Sequence, residues 1–305
     1  MIFSSLIFIF LFLPLTLAGY YILPYTRNKN IFLLLVSLFF YAWGEPSYIL
    51  LLPISVLINY FFGLIISNST RPKKLFFIFS IVFNVGLIVA FKYLPFLITN
   101  INSFLSINIP VPEVAFPLGI SFYTFKVITY LVDLNKGTVK VQKNFINFAL
   151  YISLFPQLTA GPIVKYSDIY MQLENREHSL SLFRRGVVKF ILGLAKKVIL
   201  ANNLALIADN IFNFKSGTFG MLSAWIGLIS YSLQIYFDFS GYSDMAIGLC
   251  RMFGFEIGEN FNYPYISKSV GEFWRRWHIS LGSFFRDYVY VPLGGSRCKS
   301  LFANY

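Results

Sequence analysis

Charge is what this chain has least of. Only 12% of its 305 residues are Asp, Glu, Lys or Arg, against about 25% in a soluble domain. Acidic residues are the scarcer kind, 13 against 25 Lys and Arg. So few charges cannot solvate the surface of a water-soluble fold, which excludes a soluble enzyme carried on one anchor. Cysteine and histidine are nearly missing, at two each. Cys250 and Cys298 lie far apart and lack C-x-x-C spacing, so neither a disulfide framework nor a zinc site is expected. Nucleophile-elbow, Walker A and H-E-x-x-H patterns are all absent, which removes the common serine-hydrolase, nucleotide-binding and zinc-protease chemistries. There is no internal repeat and no low-complexity segment.

What fills the chain instead is apolar: 57% hydrophobic and 20% aromatic residues. The expected fold class is all-α, a polytopic transmembrane helical bundle forming one membrane-embedded domain over residues 1–305. The length suits roughly eight spans at about 20 apolar residues each. The first, 2–24, has no basic n-region and is too long for a signal h-region, so it reads as an uncleaved span. Further apolar segments run over 31–43, 46–66, 75–98 and 114–132, with a turn signal at Gly44-Glu45-Pro46. Lys and Arg fall in alternate loops: 25–30, 67–74 (with Arg71) and 133–144 are basic, while 44–46 and 99–113 hold none. The positive-inside rule puts the basic loops in the cytoplasm and the N-terminus outside. The same clustering explains the net charge of +12 as topology and not as a nucleic-acid surface.

Beyond 144 the pattern is less regular. Residues 145–163 are apolar but contain Pro156, Gly161 and Pro162, as expected of a re-entrant hairpin lined by protein. Residues 164–189 mix Arg and Glu like a segment on the membrane surface, where His178 beside Glu177 reads as an ordinary surface histidine. Segment 187–211 reads as a helix whose Lys196 and Lys197 snorkel to the interface. Segment 219–250 is a long helix with Ser230, Gln234 and Asp238 on one face and a kink signal at Ser240-Gly241. A buried aspartate in lipid demands a cationic partner, so Asp238 either lines a tunnel or locks two helices as an ion pair. Asn260 and Asn262, before Pro264, read as partners for freed backbone groups.

Downstream, Glu272 and Arg276 form an i,i+4 pair, and Trp274, His278, Leu281 and Phe285 fall on one helical stripe expected to pack inward. His278 can exchange a proton near neutral pH where little else in such a chain can. Arg275, Arg276 and Arg286 suit a phosphate-bearing surface. The rival reading is an interfacial helix whose Trp and Arg anchor among head groups.

Five phrases in sequence order carry a likeness. They are Phe116–Phe125 (Phe-Pro-Leu-Gly at its start), Phe155–Val164 (Phe-Pro-Gln-Leu-Thr-Ala-Gly-Pro), Gly193–Lys197, Leu233–Ala246 (with Tyr-Phe-Asp-Phe-Ser-Gly-Tyr), and Phe273–Gly295 (Phe-Trp-Arg-Arg-Trp-His at its start). By these the chain resembles the membrane-bound O-acyltransferase (MBOAT) superfamily, in its bacterial branch of alginate O-acetyltransferases and related polysaccharide-acetylation proteins. The resemblance implies a ring of helices with re-entrant segments around a thin core and a tunnel. It implies transfer of an acyl group, acetyl by expectation, to hydroxyls of an exported polysaccharide from the bacterial inner membrane. It makes His278 a catalytic residue in a positioning or proton-relay role, with the base assigned to the family's other histidine; Asp238, Gln234, Trp274, Arg275 and Arg276 are read as tunnel lining or support, and no metal is expected. The acyl donor is expected to be a coenzyme A thioester such as acetyl-CoA. The partners are the lipid bilayer, the donor, the polysaccharide and periplasmic acetylation proteins. Two rivals remain: a subunit that passes the acyl group across the membrane to a periplasmic transferase, and a transporter or channel. The family's other histidine lies in a Leu-Trp-His-Gly phrase in a following span, and this sequence reaches Tyr305 before any such phrase. On that ground the domain is expected to be incomplete at its C-terminus, and these residues alone are expected to lack part of the active site.

Overall fold

The computed structural model describes residues 2–68, 73–112, 115–159, 161–214 and 220–297, and the regular elements among them are all helical. Arg71 of the second basic loop, position 114 at the start of an expected span, Cys298 and the closing stretch 301–305 lie outside the described residues. In chain order the helices are α1 (Phe8–Ile22), α2 (Thr26–Gly44), α3 (Leu51–Asn68), α4 (Lys73–Leu105), α5 (Ile120–Lys136), α6 (Phe145–Ser153), α7 (Phe155–Leu158), α8 (Tyr166–Glu174), α9 (Leu180–Phe212), α10 (Met221–Met252), α11 (Val270–Arg276) and α12 (Ile279–Phe284). Among the described residues three stretches are long and apolar enough to cross a membrane: Pro46–Asn68, which contains α3, then α4 and α9. That is fewer than the roughly eight expected from 20-residue windows. Length and polarity divide the two counts. The apolar helix α1 has 15 residues and α5 has 17. Although α10 has 32 residues, it gives Ser230, Gln234, Asp238 and Asp244 to its middle.

The described residues form two compact units. One comprises Pro24–Thr159, Ile163–Asn175 and the segment from Ser283. Of the breaker-containing stretch 145–163, residues 145–158 lie here as two short helices separated at Leu154, with Pro156 in the first turn of α7 and every residue from 147 to 158 buried, while Gly161 and Pro162 belong to the other unit. Asn144 starts α6 by accepting from the amides of Ile146 (2.9 Å) and Asn147 (3.3 Å), so two orphan donors of the first turn are satisfied. Gly119 precedes α5 at φ +73°, and the carbonyl of Leu158 occupies the place a Cβ would take. Within this unit, polar contacts join loops that the sequence assigns to the same membrane side. Lys73 Nζ donates to the Asn135 carbonyl at 3.0 Å. At the opposite ends of the helices, Glu45 accepts from the Leu118 amide at 3.1 Å, and Lys92 lies 5.7 Å from the Phe116 ring.

The other unit comprises the N-terminal segment to Leu23, the short segment Ala160–Pro162 and Arg176–Gly282. Its centre is the crossing of α9 and α10. A Cβ on Gly193 would fall 2.6 Å from the Gly241 carbonyl oxygen, and one on Gly186 would fall 2.7 Å from that of Gly248. Both pairs are spaced by seven, two helical turns, so small residues recur wherever the backbones approach. This bears on the kink or unwinding signal at Ser240-Gly241. Here α10 runs without unwinding, and Gly241 serves the close approach to α9. One correction concerns the start of α9. It lies at Leu180 and not near 187, since Ser179 accepts from the Leu182 amide at 3.0 Å and caps the helix there.

Candidate functional site

His278 stands at a break that the periodic pattern did not foretell. The helix α11 opens with Ser269 accepting from the Glu272 amide (3.2 Å), while Glu272 accepts from the Lys268 amide (3.0 Å) and pairs with Arg276 at 2.9 Å. Its other end is held by the polar stretch after α10. The Asn262 amide donates to the Arg276 carbonyl (2.9 Å), and the Ile279 amide donates to the Asn260 carbonyl (2.9 Å). Between these two bonds the chain reverses, with Trp277 extended and His278 at φ +43°. Histidine is among the few non-glycine residues that enter the left-handed region with some frequency.

The break overturns the single inward stripe expected of Trp274, His278, Leu281 and Phe285. His278 is 8% exposed, but Trp274 is 60% and Phe285 48% exposed. His278 Nδ1 lies 3.2 Å from Asn260 Oδ1 and 3.4 Å from Ser280 Oγ. The imidazole and the Phe239 ring are nearly perpendicular, 4.8 Å apart between centroids, and Phe261 lies at 6.3 Å. Asn260 is 1% exposed. Its Nδ2 donates to Ser243 Oγ (3.1 Å), and its Oδ1 also accepts from the Ser280 amide (3.1 Å) and hydroxyl (2.9 Å). His278 sits between α11 and α12, outside the long apolar helices. Burial there disfavours the imidazolium and pulls the ring's pKa down from 6.5 to about 4. The ring is therefore neutral at physiological pH, in the form able to accept a proton.

The other residues singled out from sequence are arranged separately. Asp238 pairs with Lys197 at 2.6 Å and remains 45% exposed. The more deeply held carboxylate is Asp244, 11% exposed, which bridges Lys189 (3.0 Å) and Lys196 (2.6 Å). Both lysines expected to snorkel thus end on carboxylates of α10. They lie in a stretch of α9, Lys196–Ala201, that is widened to π-helical bonding. Lys189 continues to Glu259 at 2.7 Å, where Arg251 also binds at 3.3 Å, so this ion network ends one residue short of Asn260. Gln234 has a buried side-chain oxygen with no hydrogen-bond partner among the described residues. Arg276 braces the fold through Glu272 and the Asn262 carbonyl (3.1 Å), and Arg275 is exposed. His178 is exposed and lies edge-on to Tyr20. Of the predicted set, only His278 has a buried, hydrogen-bonded imidazole. Its partners Asn260 and Ser280, and Ser243 behind Asn260, were not singled out as site residues, although Asn260 does bond a backbone amide, as its place before Pro264 led one to expect. In the other unit, a separate 420 Å³ cavity is lined mainly by Phe77, Ile81, Val132, Lys136, Tyr288 and Pro292. Among the described residues no three His, Cys, Asp or Glu side chains gather as a metal would require.

Comparison with known proteins follows the same lines. The chain is 43% identical to the probable alginate O-acetylase AlgI of Pseudomonas aeruginosa over 312 aligned residues, covering 100% of this chain and 59% of that protein. It is 38% identical to the peptidoglycan O-acetyltransferase of Helicobacter pylori, covering 99% of this chain and 63% of that protein. A shorter match, 33% identical over 57% of this chain and 45% of the relative, is to the teichoic acid D-alanyltransferase of Bacillus subtilis. The chain thus spans about three fifths of the length of the first two relatives. The family model for MBOAT proteins matches residues 38–304, and the chain belongs to the membrane-bound O-acyltransferase family.

Proposed function

We propose that this protein is a bacterial inner-membrane O-acyltransferase that moves an acyl group, acetyl in the first instance, onto hydroxyls of an exported polysaccharide. The observation that carries the reading is the match over the whole chain to proteins named for acetylating alginate and peptidoglycan. His278 is the catalytic residue of the described part, positioning or relaying the proton for the family's other histidine, which serves as the base. A neutral imidazole accepts the proton of a sugar hydroxyl as its oxygen attacks the acyl carbonyl. The new C–O bond forms, the C–S bond of a thioester donor breaks, and the thiolate leaves and takes up a proton. General-base help of this kind is worth about 10²–10⁴-fold. The donor is a coenzyme A thioester, drawn to the basic loops 25–30 and 133–144 on the cytoplasmic side, with the N-terminus outside. Asp238, Gln234, Trp274, Arg275 and Arg276 shape or brace the passage, the whole forms one catalytic domain, and periplasmic acetylation proteins work beside it.

The test uses proteoliposomes containing the product of the whole reading frame, labelled acetyl-CoA and alginate. Label is expected in polymer with the unaltered protein and lost with His278→Asn, which tolerates the left-handed backbone, and with His278→Ala. Undiminished labelling by His278→Asn at normal protein levels removes His278 from the reaction. Label that leaves the donor but reaches polymer only when a periplasmic partner is added shifts the reading to an acyl-passing subunit.

A further inference from the structure

Which nitrogen of His278 does the work is written in the contacts of its neighbour. Asn260 presents one side-chain atom to three groups: the Ser280 amide (3.1 Å), the Ser280 hydroxyl (2.9 Å) and His278 Nδ1 (3.2 Å). A backbone amide only donates, so the shared atom must be the carbonyl oxygen and not the amide nitrogen. The opposite atom, Nδ2, is left to donate to Ser243 Oγ at 3.1 Å. The Asn260 orientation is thus set by the backbone and by α10, independently of the histidine. An acceptor facing Nδ1 requires a hydrogen there. The Ser280 hydroxyl, already donating to Oδ1, offers Nδ1 only its lone pairs, at 3.4 Å.

We infer that Asn260 is a positioning residue that holds the proton of neutral His278 on Nδ1 and thereby leaves Nε2 as the atom that accepts or relays the proton of the reaction. This rests on the transferase reading for the identity of the proton, but not for the tautomer. Nε2 has no hydrogen-bond partner among the described residues. The partner bonded to one ring nitrogen decides which nitrogen carries the proton, and free neutral histidine favours the opposite form, with its proton on Nε2. An amide in this role differs from a carboxylate. It orients the ring without attracting a second proton, so the imidazole stays uncharged. Of the charged groups on the elements around the ring, Arg275 is exposed, Glu259 is paired with Lys189 and Arg251, and Arg276 with Glu272. The backbone bonds at Asn260 and Asn262 keep the two strands of this contact in register.

With only two histidines in the chain, ring-labelled ¹⁵N-histidine gives two imidazole spectra, and His178→Gln identifies which belongs to His278. At pH 7.5 the unaltered protein in detergent, without donor or polymer, is expected to show Nδ1 protonated and Nε2 bare. Asn260→Ala is expected to move the proton to Nε2 and to lower kcat about 10²-fold or more with KM little changed. Asn260→Asp is expected to keep the Nδ1 proton while the ring titrates higher by about one to three pH units, carrying the acid limb of the kcat profile with it. An Nε2-protonated ring in the unaltered protein overturns the inference, as does an unchanged tautomer in a folded Asn260→Ala. Should that variant fail to fold, the unaltered spectrum and Asn260→Asp decide. The expected tautomer without any acetyl transfer leaves the inference standing and removes the transferase reading. Transfer with the opposite tautomer does the reverse.

Discussion

His278 joins two features that rarely coincide: a left-handed backbone at φ +43° and a side chain only 8% exposed. Its burial has a stability consequence with a definite sign. The folded ring resists protonation until about pH 4, whereas the unfolded ring takes its proton near 6.5. Between those values the unfolded state binds more protons, so stability is full above pH 6.5 and falls as pH drops toward 4. The slope approaches roughly 1 kcal/mol per pH unit from this one group. Melting temperatures in detergent from pH 7.5 to 4.5 should therefore fall less steeply for His278→Asn than for the unaltered protein. Equal slopes would mean that the ring is not held neutral. At this scale the sequence pointed to the residue but not to its surroundings. His278 stands out because so few groups in the chain can titrate. Asn260 and Ser280 do not, because the contact to Asn260 crosses eighteen positions and a proline-containing turn. No spacing rule for a single helix links them. The reverse error occurred with the carboxylates. The i+4 spacing drew attention to Asp238, which is half exposed, while Asp244, six residues later, proved to be the enclosed one.

The elements show why local pattern sufficed in some places and failed in others. Caps are local, and the side chains of Asn144 and Ser179 start their helices through bonds to amides two or three residues away. The break at Trp277-His278 is not local. It is imposed by backbone bonds from Asn260 and Asn262, so a pattern read along residues 270–285 continued the helix straight through. The α9–α10 crossing is also a tertiary fact, and it makes two predictions. Gly193→Ala places a methyl 2.6 Å from the Gly241 carbonyl oxygen, and overpacking of that kind costs about 1–3 kcal/mol. Gly86→Ala in α4 meets nothing within 4 Å and should stabilise by up to about 1 kcal/mol, as alanine does for glycine in an open helix. Thermal unfolding of the two variants in the same detergent should move in opposite directions. The second prediction ranks the ion pairs. Asp244→Asn strands Lys196, 31% exposed, and leaves Lys189, 21% exposed, with Glu259 alone, a loss of roughly 3 kcal/mol for an enclosed charge. Asp238→Asn opens one half-exposed pair, worth about 0.2–1 kcal/mol. A larger loss at Asp238 would contradict the crossing as described.

Across the whole molecule, the scarcity of charge becomes an argument about sidedness. Three basic loops alternate with two that contain no Lys or Arg, a pattern fully legible in the sequence. Inside the unit that contains these loops, the contacts keep the two sets apart: Lys73 reaches Asn135, while Glu45 reaches Leu118 and Lys92 approaches Phe116. A short loop bearing Lys136, Lys140 and Lys143 resists translocation, whereas the polar, lysine-free 99–113 does not. Single cysteines at the exposed positions Ser103 and Lys140, in a background with Cys250 and Cys298 replaced, turn this into a measurement. A membrane-impermeant maleimide added to intact spheroplasts should label Ser103→Cys at once and Lys140→Cys only after lysis. Labelling in the opposite order would invert the protein, place its basic loops outside, and remove the proposed meeting of those loops with a thioester donor on the cytoplasmic side. Equal labelling of both would mean that the alternation of charge along the chain does not reflect alternate sides of a membrane.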